Sequence, residues 1–485
     1  MMQPPVVVVM ATRNRPELLA TRSVPSILSQ TVLPTAVIVV DDSDEPACAK
    51  QNHSVLSELL PDPSPELLYQ RTPGGQGAAA SWNAAVRIAQ ERWGDCWVAM
   101  LDDDDAWKHN HVASCLDAAK GNRATAVISG IDVTAPTGTF LQPIPGSLEV
   151  AGFLRGNPGW QGSNTFMRLR HFMEVGGFDE DMPSTLDRDL AVRVLQRGAA
   201  RWAFTKTHSV EYYIEPERSA LSNAGSKGKL QGLSHFYRKH VSAMSIEDQR
   251  HFFERAERLF GGTPEWALGL LGVKESQGLT QAVCGPERLE AAKQTAARAL
   301  VAREVQLLGF GKEGVVLSDG ETVCKVFDGW RERPSDVVAS MQSNVAHLLA
   351  LRPGPQWLPL EARLSHVDGQ TVLLYRFEES VPYQGDCRPQ MVQMVRDLLV
   401  AGTMYLGFRL SSFRVVGADT VRLVDLGCDV IPLLPSALRH NLERAFLVVE
   451  HGGRSDLPVL FWRAFNGEPL PELEGFEQFY RECTR

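Results

Sequence analysis

The chain opens on an unbroken β-branched run at Val6, Val7, Val8 and Val9, closed by Thr12-Arg13-Asn14-Arg15-Pro16. A run without polar alternation has no solvent face, so it predicts a strand buried on both sides, as in a parallel sheet. Leu18, Leu19, Ile27 and Leu28 recur at helical spacing and predict a helix over residues 17–30. A second buried strand, residues 36–40, runs into Asp41-Asp42-Ser43, and a third is expected at 67–70. A helix at 78–92 follows a glycine-rich loop, and a fourth strand, 97–101, runs into Asp102-Asp103-Asp104-Asp105. Strands alternating with helices predict right-handed βαβ units. Ligands of such sheets lie beyond the carboxyl ends of the strands. Here those ends carry Thr12, Asp41-Asp42 and the four aspartates.

The pattern changes twice more. Residues 241–302 are rich in Ala, Glu, Arg and Leu at helical spacing and read as a helical linker. After Glu304 short strands are expected at 305–308, 315–317 and 322–327, with Asp319-Gly320 as a hairpin turn. A helix near 337–351 and a strand at 371–375 follow. The expected fold class is α/β, with a domain at 1–240, the linker, and an α+β domain at 303–485.

Of the 485 residues, 44% are hydrophobic and 22% charged, which is globular and sufficient for more than one core. The formal charge of −9 argues against nonspecific nucleic-acid binding, so no nucleic-acid partner is expected. The eight cysteines are scattered, with no Cys-x-x-Cys pair, which points to a reducing compartment. The apolar run at residues 6–10 is too short to span a bilayer and no basic segment precedes it. A cytoplasmic location is therefore expected, with peripheral contact at the inner face of the membrane left open. Nothing in the sequence sets the oligomeric state.

Four consecutive carboxylates repel one another, and a bound cation relieves that repulsion. Mg²⁺ or Mn²⁺ held by carboxylate oxygens could neutralise a departing diphosphate. Alternation along a strand would send Asp102 and Asp104 to one side and Asp103 away. Asp105 is expected to orient a sugar or cap the next turn. A solvated acidic turn or helix cap is the competing reading.

Motifs in fixed order give these residues a wider context. Ala11-Thr12-Arg13-Asn14-Arg15-Pro16, Ser26-Ile27-Leu28-Ser29-Gln30-Thr31, Val39-Val40-Asp41-Asp42-Ser43, Gly77 through Ser81-Trp82-Asn83, Leu101 to Trp107, and Gly176-Gly177-Phe178-Asp179-Glu180 follow one another. With them, residues 1–240 resemble glycosyltransferase family 2, enzymes of the GT-A fold. The resemblance implies a nucleotide-diphosphate-sugar donor, with a UDP-sugar favoured, on Thr12, Arg13, Asn14, Asp41, Asp42, Gly77, Asn83, Asp102, Asp103 and Asp105. It implies Mn²⁺ or Mg²⁺ on Asp102 and Asp104. The acceptor would be a glycan or lipid-linked, as in cell-surface polysaccharide or lipopolysaccharide synthesis. In Leu186-Asp187-Arg188-Asp189 the family's general base falls on Asp187, with Asp189 as the alternative, and Leu186 stands where the family has Glu. A carboxylate suits that task, because inverting transfer needs one group to take the acceptor proton opposite the leaving group. Asp187 could equally cap its helix. Ser219-Ala220-Leu221-Ser222 fits a loop over the diphosphate, but no His stands just before it, so a third metal ligand is unassigned. Residues 159–164 are expected along the acceptor cleft, with Trp160 either stacked on a sugar or in the core.

In the last domain Gly309, Gly311 and Gly314 have the G-x-G-x-x-G-x-V spacing, Lys325 lies on the next strand, and Leu423-Val424-Asp425-Leu426-Gly427 comes later. That order resembles the protein-kinase-like fold. It implies ATP phosphates on Lys325 and Mg²⁺ on Asp425. Residues 407–413 carry neither the catalytic Asp nor the Asn that such enzymes place there. A nucleotide-binding or regulatory module without transfer, phosphorylation of a sugar or glycan, and a plain glycine hairpin are all open.

Overall fold

The computed structural model describes residues 4–60, 65–215, 226–271, 285–331, 333–385, 387–452, 454, 456–465 and 467–485. It divides into two compact units, Met1–Phe236 and Tyr237–Arg485.

The first unit is built on one sheet. Its strands are β1 (Val6–Thr12), β2 (Ala36–Asp41), β3 (Glu66–Arg71), β4 (Trp97–Met100), β5 (Ala106–Trp107), β6 (Ala126–Ala135), β7 (Gly138–Leu141), β8 (Thr165–Arg168) and β9 (Trp202–Tyr213). The order is β3-β2-β1-β4-β8-β6-β9-β5, with β7 paired to β6. The first four strands are parallel, and β8 runs antiparallel to both β4 and β6. The valines of β1 and β2 are buried on both faces, which is why those strands read as continuous apolar runs. This is an α/β fold with a GT-A-like sheet.

Register brings the polar ends together. Thr12 is the partner of Asp41 across β1–β2, and Val9 that of Met100 across β1–β4, so the acidic turn begins beside the loop after β1. The helix expected at 17–30 is present in three pieces, Pro16–Leu18, a wide π-type turn Leu19–Ser23, and Val24–Leu28. Pro25 has no N–H to give, and the widened turn lies just ahead of it.

In the second unit β10 (Gln306–Phe310), β11 (Val315–Ser318), β12 (Thr322–Val326), β13 (Arg363–Val367) and β14 (Gln370–Arg376) form an antiparallel sheet in the order β10-β11-β12-β14-β13. The helix Ser335–Leu349 lies between β12 and β13 in the chain. The helices expected as a linker fall in this unit. Ala292 and Ala296 of the helix Pro286–Leu300 pack into one core with Val315, Leu317, Cys324, Val326, Val372 and Leu374. A larger core gathers Met391, Tyr405, Phe408, Phe413, Leu442 and Phe446. Among the described residues Cys48, Cys96, Cys115, Cys324, Cys428 and Cys483 are free thiols. Among the described residues no helix is long and apolar enough to cross a membrane.

Candidate active site

The four aspartates do not continue β4. They form a turn between β4 and β5, closed by Asp105 N–H donating to Asp102 O at 3.2 Å. Asp102 and Asp104 are partly exposed, while Asp103 and Asp105 are buried. Asp103 is directed inward, where Thr12 Oγ1 donates to its Oδ2 at 2.7 Å and Arg15 Nη1 to its Oδ1 at 2.7 Å. The same Arg15 nitrogen lies 3.1 Å from Asp104 Oδ2. Arg22, on the π-type turn, donates to Asp104 O at 2.8 Å and pairs with Glu215.

On the other side Ser163 holds the remaining two. Its Oγ lies 2.5 Å from Asp105 Oδ2 and 3.2 Å from Asp102 Oδ2, and accepts Asp102 N–H at 3.1 Å. Gly162 permits this approach, since a Cβ there would stand 2.8 Å from Asp102 Oδ2. Crowding sets the electrostatics. Burial, then Asp104, Asp103 and Asp187, push Asp102 up to about 7 from 3.8. Burial and the neighbouring acids also raise Asp105 well above the usual range. Burial raises Asp103 against the pull of Arg15.

Asp187 lies on this same site, near enough to add its charge to Asp102. It is partly exposed in the first turn of the helix Leu186–Arg197. Asp189, two residues on, is buried with its Oδ2 held 2.6 Å from Arg193 Nη2. Arg188 is also turned inward, onto the carbonyls of Phe153 and Leu154. Inward contacts at 188 and 189 thus anchor the helix, while Asp187 stays partly exposed within electrostatic reach of Asp102.

The other expected donor residues form the walls of the loops. Asp41 is buried and accepts from Ser43 N–H, Asn52 and Tyr69 OH. Asp42 accepts from Thr72 OH at 2.5 Å and from the N–H groups of Gln76 and Gly77 at 3.0 and 2.8 Å. Arg13 and Asn14 both reach Asp44. The Asn83 amide grips Phe178 N–H and O, holding the Gly176–Glu180 loop. Trp160 is buried, with Nε1 donating to Thr165 Oγ1 at 2.6 Å, so it belongs to the core. Residues 219–222 lie outside the described residues.

Sequence reasoning assigned no role to Arg15, Arg22 or Asn157 and placed Ser163 only along the acceptor cleft, although Arg15 stands in the opening loop and Asn157 begins an Asn-Pro-Gly turn. Asp102 and Asp104 suit a divalent cation that keeps several waters and meets diphosphate oxygens. Among the described residues no three His, Cys, Asp or Glu side chains are grouped to hold a metal by themselves.

In the second unit Lys325 is buried and its Nζ donates to Asp425 Oδ1 at 2.7 Å and Leu426 O at 3.0 Å. Burial works to lower the ammonium, but Asp425 and Glu313 overcome it and raise it. Lys325 in turn holds Asp425 below its ordinary value. Glu313, in the glycine hairpin, accepts Cys428 N–H at 3.1 Å, and Arg409 pairs with Asp429 at 3.0 Å. Gly314 is required by close packing, for a Cβ there would meet Val326 O at 2.3 Å; Gly309 and Gly311 have open space around them.

Parallel strands that end on an acidic turn, faced by a helix bearing a carboxylate, define a nucleotide-sugar type of α/β domain. Residues 7–175 match the family described as Glycosyl transferase family 2. The succinoglycan biosynthesis protein ExoO of Rhizobium meliloti (strain 1021) is 28% identical over 139 residues, 29% of this chain and 36% of that one. The chain thus spans about a third of the length of that curated relative. S. aureus TarS 1-349 in complex with UDP-GlcNAc aligns at 14% identity and a TM-score of 0.41, over 76% of this chain and 96% of that one. S. aureus TarS aligns at 13% and 0.39, over 67% of this chain and 64% of that one. Scores of that size assign nothing further to this chain.

Proposed function

We propose that the first unit is an inverting glycosyltransferase that moves a sugar from a nucleotide-diphosphate donor, a UDP-sugar favoured, to a glycan or lipid-linked acceptor. Cell-surface polysaccharide synthesis at the inner face of the membrane is the setting this suggests. The observation that carries the reading is that Asp187 lies within electrostatic reach of Asp102, with Asp189 buried on Arg193.

In this reading Asp102 and Asp104 hold Mn²⁺ or Mg²⁺, which when bound stabilises the charge of the departing diphosphate. Asp104 must exchange Arg15 for that role, and the guanidinium keeps its partner Asp103. Asp187 takes the proton of the acceptor hydroxyl as its oxygen bonds to the anomeric carbon and the bond to the diphosphate breaks. Thr12, Asp103, Ser163 and Asp105 fix the turn. The loop of Arg13 and Asn14 and the loops anchored by Asp41, Asp42 and Gly77 form the donor wall. Asp187→Asn tests the assignment: donor turnover with Mn²⁺ should fall about 10²–10⁴-fold, the range of a lost general base. An unchanged rate refutes the role.

A second activity is favoured by one contact, the Lys325–Asp425 pair. It supports a protein-kinase-like reading of residues 303–485, together with the strand order β10-β11-β12-β14-β13 and the helix that follows β12. Such a module would place ATP phosphates on Lys325 and Mg²⁺ on Asp425. With Arg409 in the loop where a catalytic Asp is expected, binding or regulation fits better than transfer.

A further inference from the structure

Asp187 is held from two sides. Its Oδ1 accepts the N–H of Arg188 at 2.8 Å, and its Oδ2 accepts Nδ2 of Asn157 at 2.7 Å. A carboxylate with one anchor can still turn about its last bond; two anchors on different oxygens stop that rotation. The second anchor is itself immobile. Asn157 Oδ1 accepts from Gly159 N–H at 2.9 Å and Trp160 N–H at 3.0 Å, and its Nδ2 also donates to Trp160 O at 2.7 Å. A primary amide has two acceptor lone pairs and two N–H donors. Three of those four go to its own turn, and the one that leaves it goes to Asp187. The turn is tied to the core in its own right, by the buried Trp160 on Thr165 and by Asn164 Nδ2 donating to Gly159 O at 2.8 Å.

We propose that Asn157 is a positioning residue for the transfer reaction, fixing the orientation of the Asp187 carboxylate toward the acceptor hydroxyl. This rests on the reading of Asp187 as the base. In this reading Asn157 acts through Asp187, so its effect falls on the rate of the chemical step.

The test uses the full chain with Mn²⁺ and whichever of the UDP-, GDP- or dTDP-sugars it turns over fastest. Asn157→Ala should lower kcat about 10–100-fold, the scale of a misplaced reacting group. Donor KM should stay within about twofold, because no ground-state contact to the donor is lost. Asn157→Asp is the second variant. It keeps the two acceptor bonds of the turn but loses both Nδ2 donations, to Asp187 and to Trp160 O, and sets a second carboxylate against Asp187, so its kcat should fall at least as far. If both variants fold and turn over within about twofold of the parent while Asp187→Asn is inactive, the positioning role is overturned and the base stands. If Asp187→Asn keeps full activity, the base assignment fails first and this inference falls with it. A rise in KM with kcat unchanged would make Asn157 a binding residue and equally overturn the proposal.

Discussion

Lowering the pH should detach a divalent cation from the acidic turn, and the size of the effect follows from Asp102. Its carboxyl is pushed up to about 7 by burial and by Asp104, Asp103 and Asp187. A metal binds the ionised form, so protonation competes with it. With that value, the ionised fraction falls from about three quarters at pH 7.5 to about 3% at pH 5.5, a loss of roughly 25-fold in Mn²⁺ affinity, or about 1.9 kcal/mol. The stability of the metal-free chain runs the other way. Between pH about 4 and about 7 the folded chain keeps a proton on Asp102 that the unfolded chain has released. The contribution of Asp102 to metal-free stability is therefore present below that window and is lost as pH rises through it. Calorimetric titration of Mn²⁺ at pH 5.5, 6.5 and 7.5, beside melting curves with and without the metal, measures both slopes. Asp102→Asn should flatten them. An affinity that changes less than about threefold across this range, or a melting slope in Asp102→Asn as steep as in the parent, refutes the reasoning.

Asp189→Asn should cost about 3–5 kcal/mol in denaturant unfolding, since it leaves the Arg193 guanidinium without its buried counter-charge, yet donor turnover per folded molecule should persist. His111 is buried and burial holds it down at about 3, so the unfolded chain binds a proton below pH 6.5 that the folded chain refuses. Its contribution is intact above pH 6.5 and is lost as pH falls, by about 2 kcal/mol at pH 5, and a urea series on His111→Gln should show a shallower acid loss. Lys325→Met should abolish any rise in melting temperature given by ATP with Mg²⁺, leaving the response to UDP and Mn²⁺ in place.

The parallel half of the first sheet was legible because Val6–Val9 and Ala36–Val40 are buried on both faces, and such strands have no alternation to disguise them. The order of the polar clusters was legible for the same reason, since each follows a strand. The acidic turn was less so. Alternation applies to strands, and residues 102–105 form a turn, where the direction of each carboxylate depends on Thr12, Arg15 and Ser163. Those partners lie 58–91 residues away in the chain, and local pattern carries no trace of them. In sequence Asp187 was favoured over Asp189 by motif position alone. Burial separates them, and burial is decided by the packing of the whole helix. The Lys325 and Asp425 motifs stood out by order alone, whereas Glu313 was hidden inside the glycine pattern that drew attention to the hairpin.

Glu313 has a kinetic consequence. Its carboxylate bonds the N–H of Cys428 and faces the same ammonium, Lys325, that would receive an anionic ligand. In the nucleotide-binding reading proposed for this unit, an incoming phosphate group would meet that like charge, and Glu313 would have to move aside before the ligand seats. Two successive events replace a single collision. The observed association rate should then level off at high ligand concentration, at a ceiling set by the movement of Glu313 rather than by diffusion.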